Sequence, residues 1–234
     1  MQDVILARNR LQTVRERIER ACARSGRAPS SVTLVAVSKT HPPEAVAALA
    51  SAGQTLFGES YVQEALPKQD ALATLGLRWH FIGRLQKNKA KYVAGRFELI
   101  HSVDSVELAH MLHKKCDFLG IVQPVLVQVN LACEASKAGC SLDDTLPLAQ
   151  AIAGLDGLAL KGVMLLPPWD ENPEANRSLF AKARKLRAEL SARLGLPMPE
   201  LSMGMSHDVE QAVEEGATLV RVGTDLFGAR ERTT

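Results

Sequence analysis

The stretch Val32-Thr-Leu-Val-Ala-Val-Ser-Lys-Thr-His-Pro-Pro43 sets the reading of the whole chain. Its first six residues, Val32–Val37, form a short apolar run rich in β-branched side chains, the pattern of a buried strand. Pro42 and Pro43 then open a helix, because proline at the first helical position gives up no hydrogen bond. Between strand and helix sits Lys39, two residues past the last valine. Lysine is rarely buried without a partner. Partial desolvation on the lip of a strand lowers its pKa and leaves a neutral amine able to attack a carbonyl. The competing reading is a plain charge at a strand end.

Outward from this stretch, strand-like and helix-like segments alternate to the end of the chain. Strands are expected at Val32–Val37, Thr55–Gly58, Arg78–Gly83, Leu99–Val103, Pro124–Leu131, Leu158–Leu166, Glu200–Met203 and Leu219–Gly223. Helices fit between them at Pro43–Ala52, Tyr61–Leu75, Gln86–Ala94, Ser105–Leu119, Leu142–Ala153, Glu174–Leu194 and Asp208–Glu215, the last capped by Asp208 and ended by Gly216. Eight such units predict an α/β fold, a single (β/α)8 TIM-type barrel with an extra N-terminal helix over about residues 1–25. A doubly wound open sheet is the alternative, but no Gly-x-Gly-x-x-Gly follows an early strand. With no linker or repeat, residues 1–234 read as one domain.

In the N-terminal helix, Val4, Ala7, Leu11, Val14, Ile18 and Ala21 recur at steps of three and four and form one apolar face. Arg8, Arg10, Arg15, Arg17, Arg20, Arg24 and Arg27 then read as a solvated basic side, with RNA or an anionic membrane as the alternative use. The chain's net charge of +2 is too small to announce a nucleic-acid partner. Only 4% of residues are aromatic, so aliphatic side chains carry the packing. No apolar run approaches the roughly 18 residues of a membrane span, and the start lacks a signal-peptide pattern, which together predict a cytoplasmic protein. Cys22, Cys116, Cys133 and Cys140 show no Cys-x-x-Cys spacing and read as reduced thiols. His110 and His113 lie three apart, but nothing nearby completes a site, so no metal is expected.

Barrel enzymes work at the C-terminal ends of their strands, which turns strand ends into a search rule. Lys39 ends strand 1 and Gly58-Glu-Ser60 ends strand 2. His80 lies in strand 3, Gln128 and Asn130 in strand 5, and Met164 in strand 6. Strand 7 leads into Ser202-Met-Gly-Met-Ser206 and strand 8 carries Arg221-Val-Gly-Thr224. Barrels often bind phosphate with the loops after strands 7 and 8. Ser206 falls just before the helix near Asp208, where its hydroxyl and backbone N–H groups can hold phosphate oxygens. Gly223 allows close backbone approach and Thr224 adds a hydroxyl. Taken singly, these are equally a helix cap and a strand exit. By alternation Arg221 shares a face with Leu219 and Gly223, so its guanidinium points either at the ligand volume or at a core carboxylate. A reactive lysine, a phosphate cradle and an interior arginine together fit pyridoxal 5′-phosphate.

At this point the chain resembles the pyridoxal phosphate homeostasis proteins, the YggS/PROSC family, which are single-domain relatives of the alanine racemase barrel. The resemblance is carried by Ala36-Val-Ser-Lys-Thr40, Phe57-Gly-Glu-Ser-Tyr-Val-Gln-Glu64, Trp79-His-Phe-Ile-Gly83 with Leu85-Gln-Lys-Asn-Lys89, Gln128-Val-Asn130, Gly162-Val-Met164, Leu201-Ser-Met-Gly-Met-Ser206, and Val220-Arg-Val-Gly-Thr224 with Phe227-Gly-Ala-Arg230. It implies that Lys39 carries the cofactor as a Schiff base, that Ser206, Gly223 and Thr224 surround the phosphate, and that Arg221 faces the ring nitrogen. Ser60, His80 and Met164 join them as further candidate contacts. The family usually has asparagine where this chain has Ser60, whose single hydroxyl offers fewer bonds than an amide. Arg84, in the Ile-Gly-x-Leu-Gln loop, reads as a solvated arginine or as a charge attracting anions to the mouth.

An arginine opposite the pyridine nitrogen disfavours protonation there and makes the ring a poorer electron sink, which argues against transamination. Racemisation needs an acid/base on each face; Lys39 can serve one, and Tyr61 and His80 are the candidates for the other. The chain ends at Thr234 without room for the second β domain of alanine racemases. The expected function is therefore a carrier that holds pyridoxal 5′-phosphate and serves its homeostasis with little or no catalysis. An amino-acid racemase is the alternative, and a Schiff-base aldolase the third. Recipients would be apo-enzymes that use the cofactor, with no nucleic acid and no membrane involved. No long heptad seam is present, and a monomer is expected.

Overall fold

A computed structural model describes residues 2–132 and 138–228. Cys133 and the Ala229-Arg230 pair lie outside the described residues. Eight parallel strands close into a barrel in chain order. They are β1 (Thr33–Val37), β2 (Leu56–Glu59), β3 (Arg78–Phe81), β4 (Leu99–Val103), β5 (Gln123–Val129), β6 (Leu158–Leu165), β7 (Glu200–Ser202) and β8 (Leu219–Val222). The first and last strands pair in register, with Val35 opposite Arg221, so the stretch that opens the barrel also seals it.

Strand alternation sorts the side chains into two cores. One set, Val35, Leu56, Leu99, Leu126, Met164 and Leu219, meets inside the barrel. The other, including Phe57, Ile100, Val127 and Leu201, packs outward against the helices. Fully burying one such aliphatic or aromatic side chain is worth about 1.5–3 kcal/mol, so many modest terms suffice without a large aromatic content.

The helices are α1 (Gln2–Arg24), α2 (Pro43–Ser51), α3 (Val62–Ala71), α4 (Ala90–Val93), α5 (Val106–Leu119), α6 (Leu142–Ala153), α7 (Arg177–Leu194), α8 (Val209–Glu214) and α9 (Thr224–Phe227). Among the described residues the one helix after β8 is the four-residue α9, too short to cover the wall between β8 and β1. α1 takes that place. Its Ala7, Leu11, Val14, Ile18, Ala21 and Cys22 are buried, and it packs against α2, α8 and α9.

Four expectations need correction. The basic side of α1 is not uniformly solvated: Arg17 binds Glu210 and Asp225, Arg24 binds Glu214 at 2.6 Å, and Arg27 donates to the Val213 and Ala217 carbonyls. The helix expected over Tyr61–Leu75 breaks at Leu72 and finishes as a 3-10 turn, Ala73–Leu75, before left-handed Gly76. The segment Gln86–Ala94 is a 3-10 turn running into the single turn of α4. Asp208 stands at the start of α8 but does not cap it, because its Oδ1 accepts from the Met205 N–H instead.

Candidate functional site

The C-terminal ends of the strands open into a cavity of about 1240 Å³. Lys39, Ser60, Ser206, Arg221, Gly223 and Thr224 all line it. His80 and Met164 do not. Both are buried in the barrel interior beneath it, Met164 among the aliphatic layer and His80 in a polar chain.

Lys39 is half-buried on a loop whose two flanks are held from behind the wall. Lys68 of α3, itself only 3% exposed, donates to the Ser38 carbonyl at 2.8 Å and pairs with Glu59 at 2.6 Å and Glu64 at 2.9 Å. The Ser38 hydroxyl donates to Glu59 at 2.7 Å, and the Thr40 N–H donates to Glu64. Burial pushes the Glu59 carboxyl up, against the hydrogen bonds from Lys68 and Ser38. Thr40 adopts φ 67°, a conformation that a threonine holds only when its surroundings impose it. Beyond it, His41 stacks on Phe227 with ring centroids 4.7 Å apart, tying the lysine loop to α9. On the other side, the loops after β2 and β3 touch through backbone. A Cβ on Gly83 would come within 2.2 Å of the Ser60 carbonyl oxygen, so only glycine fits there.

Arg221 is buried at the cavity floor, and among the described residues no carboxylate pairs with it. Its guanidinium donates to Ser202 Oγ at 2.6 Å and to the Leu165 carbonyl at 2.9 Å. Burial lowers its pKa to about 10, still far above neutral pH, so it remains a cation. The bonds to Ser202 and Leu165 use two of its five N–H groups, and Arg221 also lines the cavity. Because Ser202 receives from Arg221, its own hydrogen is available to His101 Nδ1 at 2.9 Å. His101 Nε2 is hydrogen-bonded in turn to His80 Nδ1, also at 2.9 Å. Four inward positions on β8, β7, β4 and β3 thus form one polar chain across the barrel.

Burial holds both histidines neutral. It brings His80 down from 6.5 to about 4 and pushes His101 well below its ordinary range. Between those values the unfolded chain binds a proton that the folded one refuses, so stability falls as pH falls from 6.5 to 4. The His80 shift alone corresponds to about 3 kcal/mol, and His101 acts in the same direction. Urea midpoints measured between pH 4 and 8 should drop on the acid side in the wild type and drop less in His80→Asn, where only the His101 contribution remains. Parallel curves for the two proteins would contradict the neutral pair.

Around the cradle, Ser206, Gly223 and Thr224 sit on adjacent loops. Their N–H groups have no main-chain acceptor among the described residues. Gly223 has φ −118°, and a Cβ there would meet Val37 no closer than 3.4 Å. Packing alone therefore does not demand glycine at this position. α8 has six residues and starts three past Ser206, so loop amides and hydroxyls rather than a helix dipole shape the cradle. Among the described residues no three His, Cys, Asp or Glu side chains gather as metal ligands, and no helix is long and apolar enough to cross a membrane.

Sequence reasoning passed over Lys68, Glu59, His101 and Ser202. Two signals were available. Glu64 and Lys68 form an i,i+4 pair on one helix face, and His101 shares the inward face of β4 with Leu99 by alternation.

Comparison with known proteins places this geometry. Residues 10–231 match the family model for the alanine racemase N-terminal domain. The chain is 46% identical over 222 residues to the pyridoxal phosphate homeostasis protein of Aquifex aeolicus, covering 95% of this chain and 97% of that protein. It is 40% identical over 227 residues to the protein of the same name from Escherichia coli K12, covering 94% and 95%. Among solved structures, PipY of Synechococcus elongatus with PLP bound superposes with a TM-score of 0.84 at 40% identity, over 95% of this chain and 100% of that one. With identity of this extent over nearly its whole length, the chain belongs to the pyridoxal phosphate homeostasis protein family.

Proposed function

We propose that this protein holds pyridoxal 5′-phosphate on Lys39 and serves its homeostasis as a carrier, with little or no turnover of its own. The observation that carries this reading is the convergence of Lys39, the Ser206–Gly223–Thr224 cradle and Arg221 on one cavity. When bound, the cofactor would supply an aldehyde that reacts reversibly with amines. Lys39 provides the amine, from a loop fixed at Ser38 and Thr40. Ser206, Gly223 and Thr224 would hold the phosphate through hydroxyls and backbone N–H groups. Arg221 would face the ring nitrogen and, being a cation, would disfavour its protonation.

His80 and Met164 support the site from below rather than by contact, and Ser60 borders the cavity from the loop after β2. The carrier reading is favoured over racemisation because His80 is committed to His101, which leaves Tyr61, 54% exposed, as the remaining candidate base on the wall. We treat residues 1–234 as one cofactor-binding barrel domain working as a cytoplasmic monomer, since one chain supplies the cavity wall. Apo-enzymes that use the cofactor are its recipients.

The test is reduction of cofactor-loaded protein with borohydride, followed by intact mass and peptide mapping. One pyridoxyl adduct on the peptide containing Lys39 is expected. Protein that takes up no cofactor, or an adduct on another lysine, would overturn the reading.

A further inference from the structure

We propose that Arg17, on the N-terminal helix, is a positioning residue for the phosphate cradle, holding the loop after β7 to the loop after β8. The inference rests on the cofactor-binding reading above and assigns a role to a residue nearly two hundred positions before the cradle. Three separate elements converge on the Arg17 guanidinium. Nε and Nη2 form a two-pronged bond with Glu210 of α8, each prong 2.7 Å. Nη2 also donates to the Ser206 carbonyl at 2.9 Å, and Nη1 to Asp225 in the only turn of α9. Asp225 directly follows Thr224. The arginine therefore grips both arms of the cradle from outside the barrel.

Two physical effects follow. In a trans peptide the carbonyl and the following N–H point in opposite directions. Fixing the Ser206 carbonyl on Arg17 therefore aims the His207 N–H away from α1, on the side where Ser206 and His207 line the cavity. The second effect is charge. A phosphate ester carries about −1.5 to −2 at neutral pH. Glu210 and Asp225 lie four and one residues from Ser206 and Thr224, and both would repel such a ligand. Arg17 pairs with both and offsets one of their two negative charges, and its own pKa is raised chiefly by the hydrogen bond with Glu210. Lysine could supply the charge but not the planar fork that serves three acceptors at fixed angles.

The experiment compares wild type, Arg17→Ala, Arg17→Lys and Arg24→Ala for affinity toward pyridoxal 5′-phosphate and toward pyridoxal, which has the same aldehyde without the phosphate. Inorganic phosphate is added as a competitor of cofactor uptake by cofactor-free protein. Arg24→Ala is the control, because Arg24 pairs with Glu214 at the far end of α8 and touches neither loop. Arg17→Ala should weaken pyridoxal 5′-phosphate by 10-fold or more and raise the phosphate needed to compete by a similar factor. Pyridoxal should stay within twofold, and Arg24→Ala should move none of these values. Arg17→Lys should fall between the two, and it carries the test if the alanine variant does not fold. Equal weakening of both aldehydes would mean a general packing loss and overturn the proposal, as would unchanged affinity for pyridoxal 5′-phosphate. A wild-type protein that binds neither aldehyde would instead overturn the cofactor reading on which the proposal stands.

Discussion

Lys39→Ala abolishes the visible absorption band of the cofactor-loaded protein and leaves the barrel folded. The two halves of this expectation have different origins. The band depends on a bond that only the Lys39 amine forms in the proposed geometry, so its loss is complete rather than graded. Fold stability should change by less than about 1 kcal/mol, because the lysine is half-buried and its loop is held through Ser38 and Thr40 instead. The cradle and Arg221 remain, so the variant should still take up the cofactor without a covalent link. Retention should be weaker by roughly 10²-fold, equivalent to about 3 kcal/mol. Lys39→Arg keeps the charge and should behave like the alanine variant, which separates the chemistry of the amine from its field. Titration followed by absorbance and by intact mass after reduction reads both quantities. A surviving band would move the tether to another amine of the cavity, with Lys87 and Lys89 the first to map.

The largest effect on stability is expected at Lys68, which touches no ligand. Removing one partner of a buried ion pair costs about 3–5 kcal/mol, because the other charge stays behind in a low-dielectric site. In Lys68→Met the stranded charge is Glu59, fully buried, with one carboxylate oxygen already lacking a hydrogen-bond partner among the described residues. For a protein of this length the loss corresponds to a fall in Tm of roughly 10 °C. The double variant Lys68→Met/Glu59→Gln should recover part of it, since no buried charge is left uncompensated. Borohydride trapping at Lys39 should slow in the single variant, because the Ser38 carbonyl has lost its anchor. If the single and double variants melt together, the ion pair is not what holds this wall.

The barrel was legible because its strands are short apolar runs punctuated by Gly, Pro and polar residues, and strand ends then pointed to Lys39, Ser206, Arg221, Gly223 and Thr224. What escaped was the role of four polar residues buried behind or beneath the site, Glu59, Lys68, His101 and Ser202. Glu59 and Lys68 look like surface charges until the wall closes over them. His101 and Ser202 acquire meaning only when β4 and β7 face each other across the barrel. His80 was seen, but as a ligand contact, because strand alternation gives the face of a side chain and not its depth. Arg17 was hidden by its own helix: a 3.6-residue period separates the apolar stripe from the rest without telling a solvated arginine from one gripped by a distant loop. Helix boundaries slipped where a 3-10 turn intervened, at Ala73–Leu75 and Lys87–Lys89.

The place of α1 in the helical ring has a consequence for how the protein is made. Arg17 and Asp225 are 208 positions apart, yet they are bonded. Synthesis at about 5–20 residues per second leaves roughly 10–40 s between the emergence of the two. Throughout that interval the apolar stripe of α1, with Leu11, Val14 and Ile18, lacks the α8 and α9 surfaces that cover it. Such distant contacts form late, because the entropy of closing the intervening chain must be overcome first. The nascent chain therefore carries a sticky first helix that chaperones are suited to shield. Seating that helix completes the barrel wall and, through Arg17, ties the loop after β7 to the loop after β8, so in the proposed role phosphate affinity would report that folding has finished.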